Sequence, residues 1–419
     1  MANSISEVET PTGVAGARPA GTLRAEIGMP IALVGLFVAL LPPILVSMAL
    51  KLNEIDPDAV AGSLGIALSL GALCALIVNP LAGRLSDRTP GRFGMRRPWI
   101  IGGVVLGYLS LMVIANATTV LMVVIGWCLV QITFNAALAA LIAIMADSVR
   151  PKFRGRVAAA VGVAQNGSLV IGTFIVQLFS TTSAQMLVPG AIGGAIVLAF
   201  ALLMKDRVLT EKPSERFGIR EFFGSFAFDP RKNPDFGWAW LTRFLLTGAA
   251  ATATNYLTLF LINDLGVEQE KAATGVFYAT LFNVLGVLAT TFVAGWLSDR
   301  IGRRKPFVLV AALIAVVGLS TIAFAPSLEV VYLGQFLMGA GIGAFYAVDL
   351  ALITDVLPAD GNNGKDLGVV NIAQALPQSL VPIAAPGLVA IGGYPGLFLT
   401  GAFVGLLGAA AVFRVKGVR

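Results

Sequence analysis

Hydrophobic residues in this chain come in long unbroken runs, without the alternation of a surface strand or the one-sided stripe of a soluble helix. The first six runs lie at about residues 30–50, 60–82, 99–115, 119–145, 157–180 and 186–204. After a polar stretch they resume at about 238–261, 272–297, 307–325, 328–354, 368–390 and 395–415. Each is near or above the roughly 20 residues a helix needs to cross about 30 Å of hydrocarbon. A chain in lipid must satisfy its backbone hydrogen bonds within itself, so segments of this length are expected to be helices. The pattern predicts an all-α integral membrane protein with twelve transmembrane helices, six before the polar stretch and six after it.

The polar islands between the runs repeat. Gly83-Arg84-Leu85-Ser86-Asp87-Arg88, continuing through Arg92, Phe93, Gly94, Met95, Arg96 and Arg97 to Pro98, joins the second run to the third. Gly295-Trp296-Leu297-Ser298-Asp299-Arg300, followed by Arg303, Arg304, Lys305 and Pro306, does the same in the second half. A loop duplicated at about half the chain length implies two pseudo-symmetric six-helix bundles. The expected divisions are a disordered cytoplasmic tail over 1–28, a first bundle over 29–204, a cytoplasmic linker over 205–237, and a second bundle with a short tail over 238–419. Residues 1–28 lack the apolar core of a cleavable signal. The middle of the linker, Ile219-Arg220-Glu221-Phe222-Phe223, reads as a tether with aromatic anchors or as a short amphipathic helix on the inner leaflet.

Charge then fixes an orientation. With an inside N-terminus, every Lys and Arg except Lys51 and Lys271 falls in the even-numbered connections, the tails or the span ends adjoining them. The opposite loops hold Glu54, Asp56, Asp58, Asp264, Glu268, Glu270 and Glu329. By the positive-inside rule both termini are expected in the cytoplasm. The short loops suggest a multi-pass protein of a bacterial inner, or plasma, membrane.

Composition agrees, with 57% hydrophobic residues, 12% charged residues and a mean hydropathy of +0.85. The net charge of +6 resides in loops and not on a soluble face, so no nucleic-acid partner is expected. Cys74 and Cys128 lie in apolar runs and histidine is absent, which excludes a disulfide framework, a His-based metal site and a His proton relay. No metal or other cofactor and no catalytic residue is expected, since no nucleophile has a partnering base. The partners expected are the bilayer, a small-molecule solute and a coupling proton or other cation.

Twelve spans in two halves, the long central loop and the paired G-x-L-S-D-R islands together resemble the major facilitator superfamily of secondary transporters, over essentially the whole chain after residue 28. The resemblance implies two bundles rocking about a central site with alternating access, as a monomer. The first island is four residues longer than the second, and its S-D-R…R-F-G-x-R-R-P form resembles the sucrose and glycoside–cation symporter branch, implying a sugar or glycoside substrate. In the fourth span, where plant-type sucrose symporters carry an acid and an arginine, Trp127 to Asp147 offers Gln131 and Asn135. The fifth span also lacks the Gly-Pro signature of drug–proton antiporters. An efflux antiporter for amphipathic compounds is the alternative reading.

Three groups of candidate residues follow. Asp87 and Asp299 sit where a span meets a basic loop, and Asp147 and Asp355 end the fourth and tenth spans on the same side. With Gly83, Arg88, Arg96, Arg97 and Arg154, and with Gly295, Arg300 and Arg303, they are expected to form a cytoplasmic gate of charge-assisted bonds. Asp349 lies inside an apolar run, so it should face the bundle interior and pair or take up a proton; it is the candidate coupling site, with Arg243 the alternative structural partner. Uncharged polar residues near the bilayer centre, Gln131, Asn135, Gln165, Tyr256, Asn283, Tyr346, Asn371, Gln374 and Gln378, are candidates to line a substrate cavity. Amides both donate and accept, which suits a neutral, hydroxyl-rich ligand.

Overall fold

The computed structural model describes residues 23–209, 233–356 and 363–416; the expected tail up to residue 22 and the centre of the linker, including the aromatic stretch 219–228, lie outside the described residues. The first span, α1 (Arg24–Ile55), is interrupted by a π turn at Pro43–Ser47. Pro42 and Pro43 have no N–H to give to the preceding turn, which opens the ladder there. The others in the first half are α2 (Val60–Ser86), α3 (Arg97–Ala115), α4 (Val120–Ser148), α5 (Arg154–Gln177) and α6 (Thr182–Leu203). The second half contains α7 (Pro234–Asn263), α8 (Gln269–Ile301), α9 (Lys305–Ala323) and α10 (Leu328–Asp355).

A final helical stretch, Asn363–Ala411, has 49 residues and would measure about 73 Å if straight, more than twice the hydrocarbon thickness. Gly393 breaks it with φ 65° and ψ −171°, a conformation that favours glycine, and Pro395 then opens the next helix. The two arms, α11 (363–392) and α12 (394–411), bring the spans to twelve.

Helix ends follow local chemistry. Thr119 caps α4 by accepting from the Met122 N–H at 3.3 Å, and Thr181 caps α6 by accepting from Ala184 N–H at 3.4 Å. Pro98 and Pro306 sit in the first turns of α3 and α9, where a missing N–H costs nothing. In the first half, α1 packs on α4, α5 and α6, and α4 also packs on α2 and α3. In the second half, α10 packs between α8 and α9, and the α11–α12 stretch lies along α7 and α9. The halves meet where α2 lies against α11 and α5 against α8. The fold is thus twelve transmembrane helices in two pseudo-symmetric bundles.

Helical structure begins at Leu23, one residue before the α1 span and ahead of the boundary expected at residue 28. The reason is a side-chain anchor: Glu26 accepts two bonds from Arg150, at 2.7 and 2.8 Å, which hold the first turn to the α4–α5 connection.

Candidate functional site

The basic loops lie at one end of the bundles, here termed the basic face. In the first half its hub is Arg96, the N-cap residue of α3. Its guanidinium is 4% exposed and donates to Asp147 from Nε at 3.0 Å and Nη2 at 2.9 Å, to Ser86 Oγ at 2.5 Å, to the Gly83 carbonyl at 3.4 Å, and to Asp87. One side chain therefore ties the ends of α2, α3 and α4 together. Behind it, Asp206 receives the Arg96 and Arg97 backbone N–H groups at 2.8 and 2.7 Å, placing a carboxylate on the α3 N-terminus. Gly94, at φ 94°, leaves the room that Asp206 fills, and Arg97 donates to the Met204 carbonyl.

The second half repeats the arrangement more loosely. Arg304, the N-cap residue of α9, donates to Asp299 at 2.5 Å and Ser298 Oγ at 3.1 Å, and its Nε lies 3.7 Å from Asp355. Arg96 and Arg304 each stand two residues before the helix-opening proline, so counting back from Pro98 and Pro306 finds the hubs. Counting forward from the aspartates misses them, because the first loop is longer. Among the other expected gate residues, Arg300 lies over the Trp296 ring at 5.2 Å, Arg303 is exposed, and Gly295 faces Ala347 of α10. Arg88 is half-buried at the end of α2 and Arg154 opens α5. Arg150, three residues after Asp147, pairs with Glu26. The ion pairs at the hubs each join helices of one half.

Deeper in the second half, Asp349 is fully buried on α10 and accepts from Arg243 Nη1 of α7 at 2.6 Å. Arg243 Nη2 donates to Gln374 of α11 at 2.7 Å, so three helices converge on one guanidinium. The Tyr346 ring lies 5.7 Å from the guanidinium carbon. Two polar atoms in this cluster, Asp349 Oδ1 and Arg243 Nε, are buried without a hydrogen-bond partner among the described residues. Arg243 was legible from the sequence as a cation inside a span, whereas its bond to Gln374 depends on helix rotation.

The uncharged candidates divide. Gln131 and Asn135 are buried on α4 and satisfy one another: Asn135 Nδ2 donates to the Gln131 carbonyl at 2.8 Å and to Gln131 Oε1 at 2.7 Å. Asn283 reaches from α8 to α10, donating to the Gln335 carbonyl and Oε1, both at 3.1 Å. Gln335 escaped the sequence reading, although it is a polar residue within an apolar run. Gln165, Asn371 and Gln378 are exposed along α5 and α11. Tyr256 stands apart from all of these, in a seam between the halves.

That seam lies toward the face opposite the basic one. Tyr256 of α7 donates to the Pro382 carbonyl of α11 at 3.3 Å and reaches the Ala61 carbonyl of α2 at 3.5 Å. Thr258 donates to the Leu45 carbonyl in the π turn of α1. Asn53 donates to Gln269 at 3.2 Å, and the Phe174 and Phe277 rings lie 5.6 Å apart. At Gly65 the helices approach so closely that a Cβ would sit 2.4 Å from the Pro382 carbonyl and 3.0 Å from the Tyr256 hydroxyl. All of these contacts between halves fall in the parts of their helices away from the basic face.

Comparison with known proteins agrees with this architecture. A model of the Major Facilitator Superfamily matches residues 30–289 and 278–418. The multidrug resistance protein MdtL of Shewanella sp. (strain ANA-3) is 29% identical over 153 residues, 36% of this chain and 38% of that protein, so the match spans well under half of either. The sucrose transport protein SUC4 of Arabidopsis thaliana is 24% identical over 399 residues, covering 75% of each. The solved structure of a D-xylose–proton symporter superposes with a TM-score of 0.69 at 18% identity, covering 94% of this chain and 98% of that one, which shows a shared fold. With a family model matched from the first span to the last and the duplicated Arg96 and Arg304 hubs in equivalent places, the chain belongs to the Major Facilitator Superfamily of membrane transporters.

Proposed function

We propose that this protein is a secondary active transporter of a small neutral polar solute, a sugar or glycoside, driven by protons through Asp349. It works as a monomer in a bacterial inner membrane with both termini and the basic face in the cytoplasm, and it performs no catalysis. The observation that carries this reading is Asp349: a fully buried carboxylate with one oxygen held by Arg243 and the other without a partner among the described residues. A buried carboxylate of this kind can exchange its ion pair for a proton when the surrounding helices shift. Arg243, once released, remains bonded to Gln374, so the change reaches α11, where Asn371 and Gln378 are exposed. The amides at Gln131, Asn135, Gln165, Asn283, Gln374 and Gln378, with Tyr346, suit a hydroxyl-rich ligand, and the likeness to a sucrose transport protein over 75% of each chain supports that class.

The closed seam through Tyr256 supports an inward-facing state. The Arg96 and Arg304 hubs are the inner gate elements, each bracing its own half while the halves rock. A second reading, export of amphipathic compounds in exchange for protons, is supported by the match to a multidrug resistance protein.

The test is uptake of radiolabelled sucrose and aryl glucosides into proteoliposomes, with and without an inward proton gradient. The expected result is gradient-stimulated uptake in the parent protein and none in Asp349→Asn. Gradient-driven uptake retained in Asp349→Asn would overturn the coupling role. No sugar uptake, combined with proton release on adding a lipophilic cation, would replace the sugar reading with the export reading.

A further inference from the structure

A cavity of about 260 Å³ opens between the basic-face ends of α1 and α5, remote from Asp349 and from the seam, and is lined by Glu26, Ile27, Arg150, Phe153, Arg156 and Ala160, among others. Its chemistry has two parts. At the mouth, Phe153 is surrounded by cations: the Arg150 and Arg156 guanidinium carbons lie 4.5 and 5.7 Å from the ring centroid, and Lys152 Nζ lies 5.1 Å from it. Glu26 pairs with Arg150 and lies within electrostatic reach of Lys152, while Lys152 and Arg156, both exposed, form no ion pair among the described residues and keep the rim cationic.

The second part runs away from the mouth toward the bilayer centre. From Arg156 and Ala160 the same face of α5 continues at helical spacing to Val163, Gly167 and Ile171, and Val163 is 67% exposed. On α1 the neighbouring Ile27, 55% exposed, is followed one turn later by exposed Ile31. The Ser168 hydroxyl donates to the Val34 carbonyl at 3.3 Å, joining the two helices along the floor. In a membrane protein an exposed apolar stripe of this kind faces acyl chains. A cationic mouth continuous with an apolar groove, at the level where a helix enters the basic face, has the complementarity of an anionic phospholipid: phosphodiester at the rim, chains along the stripe.

We propose that the α1–α5 cavity is a binding site for an anionic phospholipid, with Lys152 and Arg156 holding the phosphodiester, Phe153 and Arg150 shaping the mouth, and Ile27, Ile31, Ala160 and Val163 receiving the chains. The site requires no particular transported solute and stands whatever the substrate proves to be. Glu26 acts here as a positioning residue: it fixes Arg150 against the ring and keeps the mouth from collapsing.

Native mass spectrometry of the full-length protein released from detergent micelles tests this, using phosphatidylglycerol and phosphatidylcholine as probes. Bound phosphatidylglycerol should survive in the parent protein and phosphatidylcholine should not. In K152Q/R156Q its retention should fall about thirtyfold, from roughly 1 kcal/mol for each basic residue at an anionic surface, and in R156Q alone about fivefold. Both residues are exposed, so the variants should fold as the parent does. Removal of two cations elsewhere on the basic face, in R92Q/R303Q, should leave retention unchanged. Equal retention in K152Q/R156Q and the parent, an equal loss in R92Q/R303Q, or displacement of the lipid by millimolar inorganic phosphate would each overturn the proposal. The first two would point to unspecific charge and the last to a free-anion site.

Discussion

Asp349 and Arg304 mark the two extremes of electrostatics in this molecule. Around Asp349 water is excluded, so its pairing with Arg243 offsets a desolvation cost that neither group could bear alone. Arg243→Ala would leave a buried carboxylate unpaired and should destabilise the protein by about 3–5 kcal/mol. Replacing both, as in R243M/D349L, should restore most of that stability, because an apolar pair of similar volume has no charge to desolvate. Thermal unfolding of the detergent-solubilised full chain checks both; a double variant no more stable than Arg243→Ala would show that the pair is held by something other than mutual charge compensation. Arg304 is the opposite case. Its partner Asp299 is 70% exposed, and an ion pair so open to water contributes on the order of 0–1 kcal/mol, so Arg304→Ala should barely move the same transition. The two Asp-Arg islands look equally important in the sequence, but burial separates them, and burial depends on the partner helices. Arg96 is tightly enclosed because Asp147 and Asp206 both turn toward it.

Helices were the most legible level, because lipid leaves the backbone few alternatives. The twelve apolar runs correspond to twelve spans, including the turn near Gly393, which the Gly392-Gly393-Tyr394-Pro395 sequence marks with two residue types that end helices. The π turn in α1 had a visible cause in Pro42-Pro43, but its use, an open carbonyl at Leu45 for Thr258 of the other half, belongs to packing between elements distant in sequence. The same limit explains why Tyr256 read as a cavity residue: a tyrosine in the part of a span away from the basic face has no sequence feature to separate a lumen from a seam. Gly65 shows how strict that seam is. A methyl at this position would lie within 2.4 Å of a carbonyl on α11, and neither backbone can yield without separating the helices. Gly65→Ala should therefore keep the seam from closing and shift the population toward opening at that face. With Cys74→Ser and Cys128→Ser removing the native thiols, an Ala61→Cys reporter beside the seam should react with a membrane-impermeant maleimide about tenfold faster in the Gly65→Ala background than without it, a shift of about 1.4 kcal/mol in the two-state equilibrium. Equal rates would mean that the close approach at Gly65 does not control the seam.

At the level of the whole molecule the distribution of contacts separates two kinds of link. The ion pairs of the two basic-face hubs stay within a half, Arg96 pairing with Asp87 and Asp147, and Arg304 with Asp299 and Asp355. The contacts between halves, through Gly65, Thr258, Asn53 and Phe174, gather toward the opposite face. A transporter built this way should move as two braced bodies, so a clamp across the seam and a clamp inside one half must differ in effect. Asn53 and Gln269 supply the first position, being hydrogen-bonded across the halves at 3.2 Å. Glu54 and Thr182, bonded to each other within the first half, supply the second at nearly the same height. In the cysteine-free background, N53C/Q269C bridged by a short cleavable bis-thiosulfonate should lose more than tenfold of its proteoliposome uptake and regain it on reduction. E54C/T182C treated in the same way should retain its rate, because the bridged residues travel together. Loss in both pairs would mean that the first half itself must deform during transport; retention in both would mean that the seam stays closed throughout the cycle. Either result would be incompatible with rocking of two rigid halves about the closed seam, whereas the expected contrast would assign the motion to the interface between them.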